Sequence, residues 1–145
     1  MSIRITDDLA AVDREKVAGF LKDAAWQSGI GPETLSRALE NSICVSAFSG
    51  SEQVGFARAV SDKATFCWID DVYVDLEFRG KGIAGQLIEA ILTHKDLQSV
   101  ATWFLSSGNP DARKVFSRYG FGPLPEERSI KLMALPKVQN ESYRS

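Results

Sequence analysis

The sequence has little histidine and cysteine. His94 is the single histidine in 145 residues, and Cys44 and Cys67 lie in apolar, strand-like stretches without CxxC spacing. Two isolated thiols without a histidine cluster do not supply the ligands that a zinc site needs. We therefore expect no metal site and no histidine-based triad, with both cysteines buried as small apolar side chains.

Charge excess and long apolar runs are missing as well. Seventeen basic residues against nineteen acidic ones give a formal net charge of -2, so no overall positive field attracts nucleic acid or an anionic membrane. No apolar run approaches the roughly twenty residues that cross a bilayer, and residues 1–8 lack the basic-then-apolar pattern of a secretory signal. We expect a soluble, cytoplasmic protein without nucleic-acid or membrane partners, in which any anion site is local.

Hydrophobic periodicity predicts an α/β chain with one domain over residues 1–135 and a polar tail over residues 136–145. The predicted order is strand, two helices, three antiparallel strands, helix, strand, helix, strand. The strands cover residues 3–6, 43–48, 53–60, 65–74, 100–105 and 129–135, and the last three helices cover 32–42, 82–94 and 111–119. The strand-helix-strand unit should be parallel, which makes the loop at its first junction the natural ligand site.

That loop is rich in glycine and basic residues. It reads Arg79-Gly80-Lys81-Gly82-Ile83-Ala84-Gly85 and precedes the helix with the strongest periodicity. Glycines let the backbone turn tightly and bring N–H groups close to an anion, and the unpaired amides of a helix start add positive potential. On glycine content alone, a tight turn with solvated basic side chains stays an open alternative.

Two other phosphate motifs can be compared with this loop. Gly80, Gly82 and Gly85 satisfy GxGxxG, but the next strand ends in Phe104-Leu105-Ser106-Ser107 without a ribose-binding acid. Too little chain remains for two mononucleotide-binding halves, which argues against a dinucleotide site. A Walker loop is excluded because no Gly-Lys-Ser/Thr is present.

A second motif follows the glycine loop after the next predicted helix and strand. It consists of Asn109-Pro110-Asp111-Ala112, then Phe116, then Tyr119-Gly120-Phe121. The two motifs together resemble the R/Q-x-x-G-x-G/A and N-x-x-A…Y…G-F elements of the GNAT superfamily of acyl-CoA-dependent N-acyltransferases, in particular its small bacterial members. The resemblance implies a mixed central sheet of about six to seven strands flanked by about four helices, with strands four and five parallel and splayed.

The resemblance also implies the chemistry. An acetyl group would move from acetyl-CoA to a primary amine of a small molecule or peptide, directly within a ternary complex and without a metal. The backbone beside the splay would hold the pantetheine arm, and the glycine loop would hold the pyrophosphate. The implied cofactor-binding residues are Val72, Tyr73, Val74, Arg79, Gly80, Lys81, Gly82, Ile83, Ala84, Gly85, Asn109, Ala112 and Phe116. The acceptor and the oligomeric state, a homodimer included, stay open.

Two adjacent acids are the candidates for proton removal from the amine. Asp70 and Asp71 lie on the strand beside the implied thioester, and a protonated amine must lose a proton before it attacks. Strand alternation sends the two side chains to opposite faces unless a bulge intervenes. Asp71 is the favoured ammonium ligand or proton acceptor, and local pairing of both acids is the alternative.

The leaving-group acid is where the sequence departs from the family. Phe116 occupies the position of the family's usual tyrosine. The thiolate could leave unassisted, because a thiol has a pKa of about 8.5, or could take a proton from water, from Tyr119 or from a serine among Ser106, Ser107 and Ser117. Because this hydroxyl is missing, a second hypothesis is a regulatory module that binds acyl-CoA but does not catalyse acyl transfer. A plain interaction domain with a structural glycine loop is a third hypothesis.

Three further side chains are candidates for the acceptor cleft. Trp26 lies near the end of the first helix, Trp103 lies in the fifth strand, and Arg58 lies in the third strand. Both tryptophans are more often core residues, and a solvated or ion-paired Arg58 is the alternative to an acceptor ligand.

Overall fold

The computed structural model describes residues 2–23, 31–107, 110–124, 133 and 135. Within these residues, five strands form one sheet in the order β1-β2-β3-β4-β5. The strands are β1 (Ile3–Thr6), β2 (Ile43–Ser49), β3 (Glu52–Ser61), β4 (Phe66–Val74) and β5 (Thr102–Phe104), and the helices are α1 (Arg14–Asp23), α2 (Pro32–Glu40), α3 (Ile83–Leu92) and α4 (Pro110–Ser117). Single 3-10 turns occur at Leu9–Ala11, Leu76–Phe78 and Lys95–Leu97.

The predicted order of elements is confirmed from β1 to α4, and the expected strand number is not. The described residues form five strands rather than six or seven. The predicted strand over residues 129–135 lies outside them except for Met133 and Leu135, which are 88% and 81% exposed and so do not pack on the sheet. The polar tail predicted for residues 136–145 also lies outside the described part of the chain.

Helices cover both faces of the sheet. On one face, here called the α3 face, an apolar cluster joins Ile83, Leu87 and Ile91 of α3 to inward side chains of β2, β3 and β4. On the other, the α1/α2 face, residues of α1 and α2 pack around Cys44 and Phe56. This division follows from the period of two along each strand, which sends alternate side chains to opposite faces.

The two cysteines are part of the core, and the histidine joins two segments of the chain through hydrogen bonds. Cys44 and Cys67 are free and buried, as predicted, and burial raises the pKa of each thiol to about 11. The Asp96 amide donates to His94 Nδ1 at 3.1 Å, so the ring proton lies on Nε2, which donates to Asp7 Oδ2 at 2.9 Å. His94 thus connects the end of α3 to the segment after β1.

Two kinds of site are not found in the described part of the chain. Its His, Cys, Asp and Glu side chains form no group of three or more that could hold a metal ion. None of its helices is both long and apolar enough to cross a membrane.

Strand β4 contains a bulge opposite β3. Phe56 pairs with Tyr73 and Arg58 pairs with Asp70, so the single residue between Phe56 and Arg58 faces two residues of β4. One of these two is Asp71, whose φ of 54° lies in the left-handed region. Aspartate and asparagine tolerate this region better than most residues other than glycine.

The bulge resets the alternation of side chains along the end of β4. Cys67 and Ile69, before the bulge, belong to the α3-face cluster, and so do Val72 and Val74 after it. Tyr73 therefore points to the α1/α2 face, where its ring stacks on Phe20 at 4.2 Å between centroids. A regular strand would have reversed the faces of all residues after Asp70.

Strands β4 and β5 are parallel, as predicted, but they pair over a short length. Phe66, Cys67 and Trp68 align with Thr102, Trp103 and Phe104. β5 then ends, and residues 69–74 of β4 have no partner strand on that side within the described chain. The two strands therefore leave a gap that begins next to Asp70.

Candidate active site

The predicted anion loop follows β4 directly. Asp75 caps the short turn Leu76–Phe78, and the chain then enters the glycine segment. Gly80 and Gly82 have φ values of 77° and 80°, and Gly82 is the N-cap of α3. A Cβ at either glycine would meet nothing within 4 Å. The backbone conformation, rather than crowding, is therefore what favours glycine here.

The first turn of α3 can accept an anion. Its N-cap, Gly82, makes no side-chain cap hydrogen bond, and the turn contains no acidic residue. The first amides of a helix have no acceptor within the helix and carry positive potential. Ile83 is buried and Ala84 half-buried against the α3-face cluster, so packing of their side chains fixes the direction of these amides.

Both basic side chains of the loop contact neighbouring aromatic rings. The guanidinium carbon of Arg79 lies 5.3 Å from the centroid of the Tyr73 ring, and Lys81 Nζ lies 5.2 Å from that of Phe78. Arg79 Nε also donates to the Val74 carbonyl at 2.9 Å. Arg79 thus occupies one of the backbone groups that the sequence resemblance assigns to the pantetheine arm.

The side chain of Arg58 binds both candidate acids. Its Nε donates to Asp71 Oδ2 at 2.8 Å, and its Nη2 donates to Asp70 Oδ2 at 3.3 Å. The third nitrogen, Nη1, donates to the Ser42 hydroxyl just after α2 at 3.2 Å. The side chains of Asp70, Arg58 and Asp71 are 20%, 14% and 2% exposed, so Asp70 is the more accessible acid.

The two aspartates lie on the same face of the sheet, because a bulge, the stated exception to strand alternation, is present. The bulge adds a residue at Asp71 and turns its side chain to the α1/α2 face, where Asp70 also lies. The Asp71 amide donates to Asp70 Oδ1 at 2.9 Å. Without the extra residue, alternation would direct the Asp71 carboxylate into the apolar α3-face cluster.

The electrostatic environment makes Asp70 titrate near neutrality. Burial is the largest cause that raises the pKa of Asp70 to about 7, and the Asp71 carboxylate raises it further. Arg58 and the hydrogen bond from the Asp71 amide act in the opposite direction. A carboxyl with such a pKa can both accept and release a proton at pH 7.

Two aromatic side chains that are not among the residues predicted from the sequence lie beside this cluster. Trp68 and Phe104 stack with 6.2 Å between centroids and 25° between planes, at the last pair of β4 and β5. Trp68 precedes Asp70 by two residues and so shares its face. The period of two could have identified Trp68 from the sequence, whereas the contact of Ser42 with Arg58 depends on tertiary packing.

Trp103, one of the two predicted acceptor tryptophans, does not join the cluster. Trp103 packs against the α3-face cluster, on the side of the sheet opposite to Arg58. Trp26 lies outside the described residues, and so does Asn109 of the second motif. Ala112 of that motif is half-buried on α4.

The aromatic residues of the second motif hold α4 in place. Phe116 is 7% exposed and contacts Phe121 edge to face, with 6.1 Å between centroids. The Tyr119 hydroxyl donates to the Gly85 carbonyl at 3.0 Å, and a Cβ added at Gly85 would lie 3.0 Å from that hydroxyl. Gly85 therefore provides room for Tyr119, and its carbonyl already engages the proton of that hydroxyl.

Comparison with known proteins identifies the family to which the chain belongs. Residues 8–132 match the family model described as an acetyltransferase (GNAT) domain. A GNAT-family protein from Xanthomonas campestris pv. campestris is 32% identical, with 95% of this chain and 96% of that chain covered and a TM-score of 0.85. A search among curated proteins finds no match.

Two more distant structures share the fold. A Staphylococcus aureus protein of unknown function is 22% identical, with a TM-score of 0.73 and coverage of 93% and 99% of the two chains. A GNAT-family acetyltransferase from Streptococcus pneumoniae is 20% identical, with a TM-score of 0.70 and coverage of 94% and 98%. At this identity the likeness concerns the fold alone.

We predict that Asp70→Asn stabilises the protein at pH 8 and not at pH 4. Folding raises the pKa of Asp70 above the unfolded value of about 3.9, so its ionisation opposes folding, and this penalty is complete only above pH 7. Urea unfolding at both pH values measures the change in the free energy of unfolding. Equal stability of the variant and the native protein at pH 8 would contradict the prediction.

Asp62→Asn is the control of opposite sign. The Thr65 hydroxyl and three backbone amides lower the pKa of Asp62 in the folded state. Its stabilising contribution is therefore present above the unfolded pKa and lost as the pH falls. Asp62→Asn should destabilise the protein at pH 8, where Asp70→Asn stabilises it.

We predict that Gly85→Ala and Tyr119→Phe are not additive. Tyr119→Phe should lower the free energy of unfolding by about 1 kcal/mol through the lost hydrogen bond. Gly85→Ala should stabilise α3, by up to about 1 kcal/mol, only when the Tyr119 hydroxyl is absent. Denaturant unfolding of both single variants and the double variant measures the coupling, and additive effects would show that the contact is unimportant.

Proposed function

Because the chain belongs to the GNAT family of acetyltransferases, we propose that it transfers an acetyl group from acetyl-CoA to a primary amine of a small molecule or a peptide. The transfer is direct, within a ternary complex. The observation that carries the proposal is a carboxyl with a pKa near 7, Asp70, at the start of the gap between β4 and β5. The anion loop at the end of the same strand completes the site.

The donor side of the proposal rests on the glycine loop. Acetyl-CoA supplies the thioester and a pyrophosphate, and the amides from Gly82 to Gly85 are the groups that fit the pyrophosphate. The unpaired outer edge of β4 after Trp68 offers backbone groups to the pantetheine arm. Arg79 must release the Val74 carbonyl if that carbonyl is to accept from the arm, and its guanidinium is then available to the phosphates.

On the acceptor side, we assign proton removal to Asp70 rather than to Asp71. Asp70 is the more exposed of the two and has the pKa suited to accepting a proton from an ammonium at neutral pH. Asp71 is buried against Arg58, where its charge raises the pKa of Asp70. Arg58 holds both carboxylates in position and links them through Ser42 to the end of α2.

The three candidate side chains from Phe116 to Tyr119 offer no evident acid for the leaving thiolate. Phe116 has no proton to give, and the Tyr119 hydroxyl donates to the Gly85 carbonyl. The Ser117 hydroxyl donates to the Arg113 carbonyl at 2.8 Å. Unassisted departure or protonation by water fits this arrangement, since a thiol pKa of about 8.5 makes the thiolate a good leaving group.

The same observation favours a second candidate function. A domain with an intact anion loop and a buried phenylalanine in place of the family's tyrosine could bind acetyl-CoA as a regulatory module. Tight acetyl-CoA binding, with thiol release at the background rate for every class of amine, would support this second function over the first.

We predict that acetyl-CoA binds to the loop with a strong contribution from the pyrophosphate. Gly82→Ala should weaken binding at least about tenfold, because alanine disfavours a φ of 80° and the amides of the first turn would shift. Calorimetry with acetyl-CoA and with pantetheine, which lacks the pyrophosphate, measures the effect. If folded protein gives no heat of binding at millimolar acetyl-CoA, the proposed donor site is contradicted.

Gly50→Ala is the matched control for backbone strain. Gly50 has a φ of 60° and lies in the turn between β2 and β3. The substitution should lower stability as Gly82→Ala does and leave acetyl-CoA binding unchanged. Equal loss of binding in both variants would indicate general destabilisation instead of a loop contact.

We predict that kcat/KM rises with pH and levels off above pH 7, because the proton acceptor must be ionised. Asp70→Asn should lower turnover by about 100-fold or more without weakening acetyl-CoA binding.

Asp71→Asn should move the rising part of the pH profile to lower pH, since it removes a charge that raises the pKa of Asp70. Asparagine also tolerates the left-handed backbone. Full turnover of Asp70→Asn across pH would exclude a proton role for this residue.

A further inference from the structure

Three aromatic side chains form a stripe that belongs to neither core cluster. Phe66 and Trp68 alternate along β4, and Phe104 of β5 pairs with Trp68. Phe66 is 38% exposed, and Trp68 and Phe104 are half-buried. Because Cys67 between them belongs to the α3-face cluster, this aromatic stripe (Phe66, Trp68 and Phe104) lies on the α1/α2 face.

The stripe ends at the proposed proton acceptor. Two residues of strand place the Cα atoms of Trp68 and Asp70 about 7 Å apart on one face. An amine whose nitrogen reaches the Asp70 carboxyl can therefore place its substituent over the rings of Trp68 and Phe104. These rings stack with 25° between planes, so they form one contiguous apolar surface beside Asp70, here called the wall.

The charges around the wall favour a cation and disfavour an acid. Asp70 and Asp71 carry up to two negative charges against the single guanidinium of Arg58. Each of the three guanidinium nitrogens of Arg58 already donates one hydrogen bond, to the two carboxylates and to Ser42. An acceptor with its own carboxylate or phosphate would thus meet repulsion from Asp70 and Asp71, whose partner Arg58 is already engaged by these two acids.

We propose that the acceptor is a primary amine carried on an aromatic group by a short linker, and that Trp68 and Phe104 are the residues that select it. This inference rests on the proposed function and names the substrate class of the same site. The ammonium contacts Asp70 while the aromatic group lies on Trp68 and Phe104, where burial of its surface supplies most of the discrimination against small polar amines.

Matched amines test the preference with saturating acetyl-CoA. The comparison uses 2-phenylethylamine, ethanolamine, which lacks the ring, and phenylalanine, which adds a carboxylate. We expect kcat/KM for 2-phenylethylamine to exceed that for each of the other two by at least about tenfold. Equal or better turnover of ethanolamine or phenylalanine would overturn the acceptor class while leaving the acetyltransferase function intact.

Two tryptophan variants test whether the wall of Trp68 and Phe104 causes the preference for an aromatic amine. Trp68→Leu should lower kcat/KM for 2-phenylethylamine by about tenfold or more, and that for ethanolamine by less than about threefold. Trp103→Leu is the matched control, because Trp103 lies on the α3 face and its loss should leave the ratio between the two amines unchanged. An unchanged ratio in Trp68→Leu, or an equal change in both variants, would contradict the proposal. Circular dichroism shows whether each variant is folded.

Binding measurements separate this inference from the proposed function. If no amine is acetylated, calorimetry of 2-phenylethylamine with the coenzyme A complex still decides the acceptor class. Binding that Trp68→Leu weakens would uphold the aromatic site although transfer fails, and absence of binding would overturn it. Sedimentation completes the test: dimers of the native protein that Trp68→Leu dissociates would show that a second copy, and not an amine, covers the stripe.

Discussion

The left-handed backbone of Asp71 is the local feature on which the site depends. The conformation costs about 1–2 kcal/mol for a residue other than glycine, and the buried Asp71 carboxylate forms an ion pair with Arg58 in this conformation. The bulge decides the face of every residue after Asp70 in β4. It brings two carboxylates together, and it places Tyr73 on Phe20.

The acidic cluster shows how the fold holds a carboxyl in an unfavourable state. Burial and the neighbouring Asp71 raise the pKa of Asp70, and Arg58 keeps the pair from being too costly to ionise. Such a balance destabilises the folded protein near and above neutral pH, which is common where a group has a chemical role. The link from Arg58 through Ser42 makes the position of α2 part of the same balance.

Glycine has two different roles in the loop before and within α3. Gly80 and Gly82 allow positive φ and leave open space around the backbone. Gly85 instead gives room to the Tyr119 hydroxyl, which fastens α4 to the first turn of α3. The segment thus resembles a dinucleotide-binding motif although its three glycines are favoured for different structural reasons.

Four features could be predicted from the sequence: the order of elements through α4, the parallel pairing of β4 and β5, the burial of the cysteines and the family. Each of these follows from local periodicity, local glycine chemistry or contiguous motifs. Tertiary structure alone decided which face Asp71 occupies, that Trp68 and not Trp103 lies beside Asp70, and that Gly85 meets Tyr119. These features depend on strand register and on contacts between distant segments, which the pattern of neighbouring residues does not encode.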